Sequence, residues 1–333
     1  MALLQLESFD TYATGKYAGK WASQTGTIGA TGREGTNGLQ HTSGSNLVLG
    51  VDNKQTLITG IAVKVDQPRA YSIIQYRDGG TVQCGLNTDG TNQLVVYRGS
   101  ILIASTGYIL NSDTWYYIEF KSKIAPAGSG TWEVHVNGVE IASDSSVQTT
   151  QTGSSYATNV YISMFRFGTA THVLDDIYIF DDTGSFCNDF VGDVHVDFAL
   201  PNSVGYITQW VGVPGAGDNY EDVNEASPDD DTSFVVTSGV GYIDSYGFAN
   251  LVSASGSVYG VQVNAWARKD DIGDRQLNAT VRPTSTTYSG GAGLAVGSSY
   301  EYKTFQFSFN PETSDFWTIA QINAAEFGIK EEA

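Results

Sequence analysis

Four aspartates bracket a short apolar run in LDDIYIFDD, Leu174 to Asp182. Asp175 and Asp176 precede Ile177-Tyr178-Ile179-Phe180, and Asp181 and Asp182 follow it. Carboxylates at this density suggest calcium, which gathers oxygen ligands at about 2.3–2.6 Å. The loop order D-x-D-x-D-G is absent, however. The competing reading is a strand, with Ile177 and Ile179 facing one way and Tyr178 and Phe180 the other. The aspartates then cap turns at its ends. Both readings stand at this point, and calcium is the one cofactor the sequence suggests.

Other groups are weaker. Asp193, His195 and Asp197 alternate, so a strand starting at Asp193 would put them on one face, able to hold a transition metal or simply to meet solvent. The stretch YEDVNEASPDDDT (Tyr220–Thr232) is an acidic loop, read as a solvated charged turn, with calcium or a basic partner surface as the alternative. No G-x-S-x-G occurs, and the four histidines are scattered. Glycoside cleavage needs two carboxyls about 5–9.5 Å apart. The E-x-D-x-x-E spacing that sandwich glucanases commonly use is missing, so no residue is predicted to be catalytic. Tyr71, Tyr76 and Tyr97, or Tyr12, Tyr17 and Trp21, offer rings that could stack on sugars.

The elements that must carry these residues are strands. Alternation with period 2 runs through TLITGIAVKV, SIIQY, QLVVY, WYYIEFKSKI, WEVHVNGVEI, VYISMFRFG (Val160–Gly168) and DDIYIFD. Asn137-Gly138 between two alternating runs predicts a two-residue hairpin, because a type I′ turn needs positive φ at both positions. The 38 glycines, 12% aromatics and 16% charged residues suit an all-β chain with many turns. A turn-rich break at 182–192 suggests a β-sandwich or barrel over 1–186 and a smaller β domain over 190–333. In the second part, strands are expected near Gly205–Val211, Ser233–Val236, Val258–Arg268, Asn278–Arg282 and Tyr300–Phe309. One helix is expected near the end, capped by Ser314 or Asp315 and stopped by Gly328. Trp317 and Phe327 lie on one side of it, as an interface anchor.

The formal net charge of −19 argues against direct nucleic-acid binding. No run approaches the ~18 apolar residues of a membrane helix. MALLQLESFD lacks the basic start of a signal peptide. Cys84 and Cys187 form neither a disulfide framework nor a zinc motif and suit a reducing compartment.

ESFDTYATGKYAGKW, GREGTNGLQ, WYYIEFKSKI, WEVHVNGVEI and LDDIYIFDDTG together resemble the concanavalin A-like (laminin-G-like) jelly roll of tailed-bacteriophage virion proteins. FVGDVHVDFALPNSVGYITQW, YEDVNEASPDDDTSFV, GYIDSYGFANL and the C-terminal stretch extend that resemblance over nearly the whole chain. It implies an opening strand around Phe9–Asp10 beside a closing strand around Asp176–Phe180. It also implies a non-enzymatic structural component of the virion, on the tail or its appendages, assembled in the host cytoplasm. The implied partners are other virion proteins, further copies of the chain and glycans of a host surface; the aromatic C-terminal helix makes the C-terminal domain the expected dock. A capsid decoration or cement protein is the alternative. A polysaccharide-degrading enzyme is the third reading, and it requires a carboxylate pair in a groove.

Overall fold

A computed structural model describes residues 2–11, 15–41, 44–163, 172–215, 217–252 and 256–332. Tyr12 and the 164–168 end of the expected 160–168 strand lie outside the described residues. The chain forms two compact units. Unit 1 comprises Met1–Gly15 and Trp21–Val196, and unit 2 comprises Lys16–Lys20 and Asp197–Ala333. The division therefore falls after Val196, later than the turn-rich break in the sequence, because 187–196 bonds to unit 1. Among the described residues, no helix is long and apolar enough to cross a membrane.

Unit 1 is a sandwich of two antiparallel sheets. One carries, in order, Val139–Val147, Gly130–Val136, Trp115–Lys123, Thr56–Val65, His172–Asp181, Asn37–His41 and Thr27–Thr31. Leu3–Glu7 also pairs with His172–Asp181, with Glu7 opposite Ile177. The opening and closing strands are thus neighbours, in a register slightly earlier than Phe9–Asp10. The second sheet runs Ile101–Ile109, Gln93–Arg98, Thr81–Thr88, Tyr71–Asp78, Ala157–Ser163, Asn46–Lys54 and Ser23–Gln24. Alternation sends Ile61, Val63, Ile118 and Phe120 to the inner face, all fully buried. Tyr76 of the second sheet stacks on Phe120 at 5.4 Å, and its hydroxyl donates to the Phe120 carbonyl at 2.7 Å. Burying such inner faces is the main stabilising term.

The hairpin forms where the sequence predicts it, with Asn137 at φ 51° and Gly138 at φ 76°. The closing strand differs from a half-solvated one. Tyr178 and Phe180 are as buried as Ile177 and Ile179, because the strand is central in its sheet and its outer face is also covered.

Unit 2 has a six-stranded sheet. Its order is Pro201–Thr208, Ile243–Phe248, Glu326–Glu331, Gln276–Arg282 and Tyr288–Ser289, with Leu294–Ala295 also on Gln276–Arg282. The ribbon Val261–Ala267 with Glu301–Phe307 packs Phe305 and Phe307 into one core with Leu277, Val281, Trp317 and Phe327. The expected helix is cut to Ile319–Ala324, with Thr318 as its cap. Glu326–Glu331 is a strand between two others. Trp317 and Phe327 are therefore core residues, at 1% and 7% exposure, and not an interface anchor. The unit's own core claimed the apolar side chains that the periodicity assigned to a helix face.

Candidate functional site

The outer face of the eight-stranded sheet in unit 1 gathers ionisable groups. Successive strands bring Tyr117 and Glu119, then Asp175, Asp176 and Tyr178, to the side away from the core. Glu119 and Tyr178 both lie against Gly60, which sits between them in register. A β-carbon on Gly60 would stand 2.1 Å from Tyr178 Cε1, so only glycine lets that ring lie across the strand. Asp176 occupies a break in the register between Asp175 and Tyr178, at φ 48°.

The segment 187–196 lies over this face. The expected strand at Asp193 does not form; the segment is held by carboxylates instead. Glu119 Oε1 accepts from Gly192 N at 2.8 Å, Val191 N at 3.1 Å and Tyr178 Oη at 2.5 Å. Asp176 Oδ1 accepts from Val196 N at 2.8 Å. His195 Nδ1 stands 2.9 Å from the same oxygen, at ion-pair distance though outside hydrogen-bond alignment. Arg33 reaches in from a neighbouring turn, with Nη2 2.5 Å from Asp193 Oδ1 and Nη1 3.7 Å from Asp176 Oδ2. Its guanidinium lies 5.5 Å from the Tyr117 ring centre, and Tyr117 Oη donates to the Asp176 carbonyl at 3.0 Å.

Asp175 accepts from Arg33 N at 2.8 Å and from Asp176 N at 2.9 Å. Burial first, and the Asp176 charge second, push its carboxyl up to about 8, so it holds a proton at neutral pH. Asp10, whose Oδ1 accepts from Asn37 N at 2.8 Å, is also raised by burial. Asp175, Asp176 and Glu119 are fully buried, while the His195 and Arg33 side chains are 23% and 20% exposed. The arrangement thus pairs buried carboxyls with an imidazole and a guanidinium that reach the surface, a set able to exchange protons and to bind oxyanions.

The calcium set does not assemble. Asp175 and Asp181 sit opposite Ala62 and Leu57, well apart along the partner strand. Asp181 is taken by Lys54 at 2.6 Å and by Thr183, and Asp182 is exposed. The tyrosines do not make a sugar platform either. Tyr71 and Tyr76 are buried at 4% and 0%, and only Tyr97 is partly exposed. Trp21 is buried with its Nε1 on Glu7 at 2.9 Å. In unit 2 the acidic loop turns inward onto cations and rings. Asp230 bonds Lys16 at 3.2 Å and Trp266 at 2.9 Å, and Asp231 bonds Arg268 at 2.7 Å and Tyr300 at 2.8 Å. Both cysteines are free and buried. Sequence reasoning missed Glu119, Arg33 and Asp10. Glu119 was one visible signal, a lone acid among WYYIEF positions that alternation makes half-buried.

No family model and no curated protein matches the chain. Among solved structures it is similar to endo-β-1,4-glucuronan lyase from the fungus Trichoderma reesei, at 15% identity and a TM-score of 0.41, over 54% of this chain and 95% of that one. It is similar to alginate lyase Aly36B at 15% identity and 0.39, over 54% and 96%. Trypanosoma rangeli sialidase matches at 16% and 0.38, over 54% of this chain and 30% of that one. These similar structures are glycan-processing enzymes, which runs against the expectation of a structural component of the virion. At such identities the likeness describes the β-sandwich alone.

Proposed function

We propose that unit 1 is a polysaccharide-cleaving enzyme module that works by acid–base catalysis on the outer face of its larger sheet. One observation carries the reading: the partly exposed His195 imidazole rests against the buried Asp176 carboxylate, beside Arg33 and a protonated Asp175. A structural sandwich gains little from burying so many unlike charges, whereas an acid–base site needs them. His195 is the proton-transfer group, held against Asp176. Arg33 neutralises negative charge on the substrate or on the leaving oxygen. Asp175 supplies a neutral carboxyl that keeps the turn carrying Arg33 in place. This departs from the non-enzymatic expectation and revives the reading that asked for paired carboxyls. The choice of polysaccharide as substrate is part of the proposal, and the likeness in fold does not argue for it. Trp115, on the same outer face, gives a ring surface of the kind sugars stack on.

The test incubates the full chain with neutral and uronate-containing polysaccharides. New reducing ends and the ultraviolet absorbance of unsaturated products are followed together. Cleavage that falls at least 100-fold in His195→Ala and Asp176→Asn, with circular dichroism unchanged, supports the assignment. No cleavage of any polymer, or undiminished cleavage by His195→Ala, overturns it.

A further inference from the structure

A second group of ligating side chains lies at the edge hairpin of the same sheet. Glu133 and His135 alternate along Gly130–Val136, and Glu140 is the cross-strand partner of His135. One ligand atom from each of the three lies within 4.8 Å of the others. His135 Nε2 is 2.7 Å from Glu133 Oε1, and Ser143 Oγ donates to Glu140 Oε1 at 2.7 Å. Phe190 packs on the imidazole with ring centres 4.2 Å apart, which limits how the ring can turn.

An independent observation comes from beneath. Glu119 is fully buried and its Oε1 is satisfied, but Oε2 has no hydrogen-bond partner among the described residues. That oxygen faces His135 Nδ1 at 3.8 Å. The charge of a carboxylate behind an imidazole favours the proton on the near nitrogen, which leaves the lone pair of the far one facing outward, as behind metal-bound histidines, although 3.8 Å is ion-pair and not hydrogen-bond distance. At 2.7 Å from Glu133 Oε1, Nε2 either donates to that oxygen or, with the proton on Nδ1, meets it lone pair to lone pair, and a cation between them suits the second arrangement. Lys121, opposite Glu133 in register, is drawn to Asp189 at 2.9 Å rather than neutralising Glu133.

We propose that Glu133, His135 and Glu140 bind a divalent transition-metal ion of the zinc class, with Glu119 as a positioning residue. One nitrogen and two carboxylate oxygens suit such an ion better than calcium, whose ligands are oxygens. Zinc takes these donors at about 2.0–2.2 Å, and the exposed Glu140 closes that distance by changing rotamer. Water completes the coordination. The site is separate from the His195–Asp176 pair and does not depend on the proposed cleavage.

The experiment is calorimetric titration of Zn²⁺ into the chelator-stripped full chain. One saturable site is expected, weakened at least tenfold in His135→Gln and in Glu140→Gln. Both residues reach the surface, so these variants fold, and circular dichroism checks it. Glu119→Gln is expected to weaken binding about tenfold while leaving the stoichiometry at one. Absence of saturable binding overturns the proposal. So does binding that is equal in His135→Gln and wild type, which would mark the ion as adventitious among the 36 acidic residues.

Discussion

Gly60 decides whether the outer face can exist as described. Its missing side chain lets the Tyr178 ring lie flat and reach Glu119 at 2.5 Å. Gly60→Ala is expected to push the ring off, break that bond and destabilise unit 1 by about 1–3 kcal/mol. Urea unfolding reads this as a lower midpoint at unchanged slope, and an unchanged midpoint would refute the packing argument. Little at this scale was legible in the sequence. LDDIYIFDD displayed its carboxylates plainly, yet neighbours far along the chain settled their roles: Lys54 for Asp181, Arg33 and His195 for Asp176. Pairings of that kind depend on strand register, which local pattern does not carry. The tyrosines misled for a related reason. A phenol on an alternating strand reads alike whether its hydroxyl meets water or, as in Tyr76, a buried carbonyl.

The 187–196 segment is the element on which the candidate site turns. It forms no ladder, and the Glu119 and Asp176 carboxylates hold its amides. Glu119→Ala is expected to speed hydrogen exchange at Val191 and Gly192 by at least tenfold, while amides of the Thr56–Val65 strand keep their protection. Equal rates in both proteins would mean that Glu119 does not tether the segment. The His172–Asp181 strand carries a further expectation. Because Asp181 already pairs with Lys54, added calcium should leave the melting temperature unmoved, and a rise abolished by Asp181→Asn would restore the calcium reading. Elements were legible where chemistry is local. Asn137-Gly138 announced its turn, and the alternating runs named between Thr56 and Ile141 fall in strands, while Asn46–Lys54, Thr81–Thr88 and Ile101–Ile109 were not picked out. The C-terminal helix was misjudged because Trp317 and Phe327 fit a helical stripe as well as they fit a sheet core. Ile243–Phe248 escaped notice because its buried Asp244 and Ser245, on opposite faces, break the apolar pattern. Asn219, Tyr246 and the Gln209 amide satisfy Asp244 from elsewhere in the chain.

At the scale of the whole molecule, three buried groups set opposing responses to pH. His41 and His172 face each other across a strand pair. Burial lowers them to about 3 and about 4, from an ordinary value of 6.5. Below pH 6.5 the unfolded chain takes up protons that the folded one refuses, so their contribution to stability is lost as pH falls toward 4. Asp175 acts in the opposite sense. The folded chain keeps its proton up to about pH 8 while the unfolded one releases it near 3.8, so stability falls as pH rises through that window. Two protons outweigh one below 6.5, and the single one acts alone above it. These groups together place a maximum near pH 6.5. Melting temperature against pH should show it, and Asp175→Asn should remove the decline between 6.5 and 8; a decline that persists would assign it to other groups. The division into units has an effect of another kind. Lys16–Lys20 belongs to unit 2 although the chain on either side of it belongs to unit 1. Its Ala18 carbonyl accepts from Tyr302 N at 2.7 Å. On the ribosome this short stretch emerges long before Tyr302 and waits for that partner to be made. Unit 2 therefore cannot be completed in the order in which it is translated, and a fragment that starts at Asp197 is born without one of its own pieces.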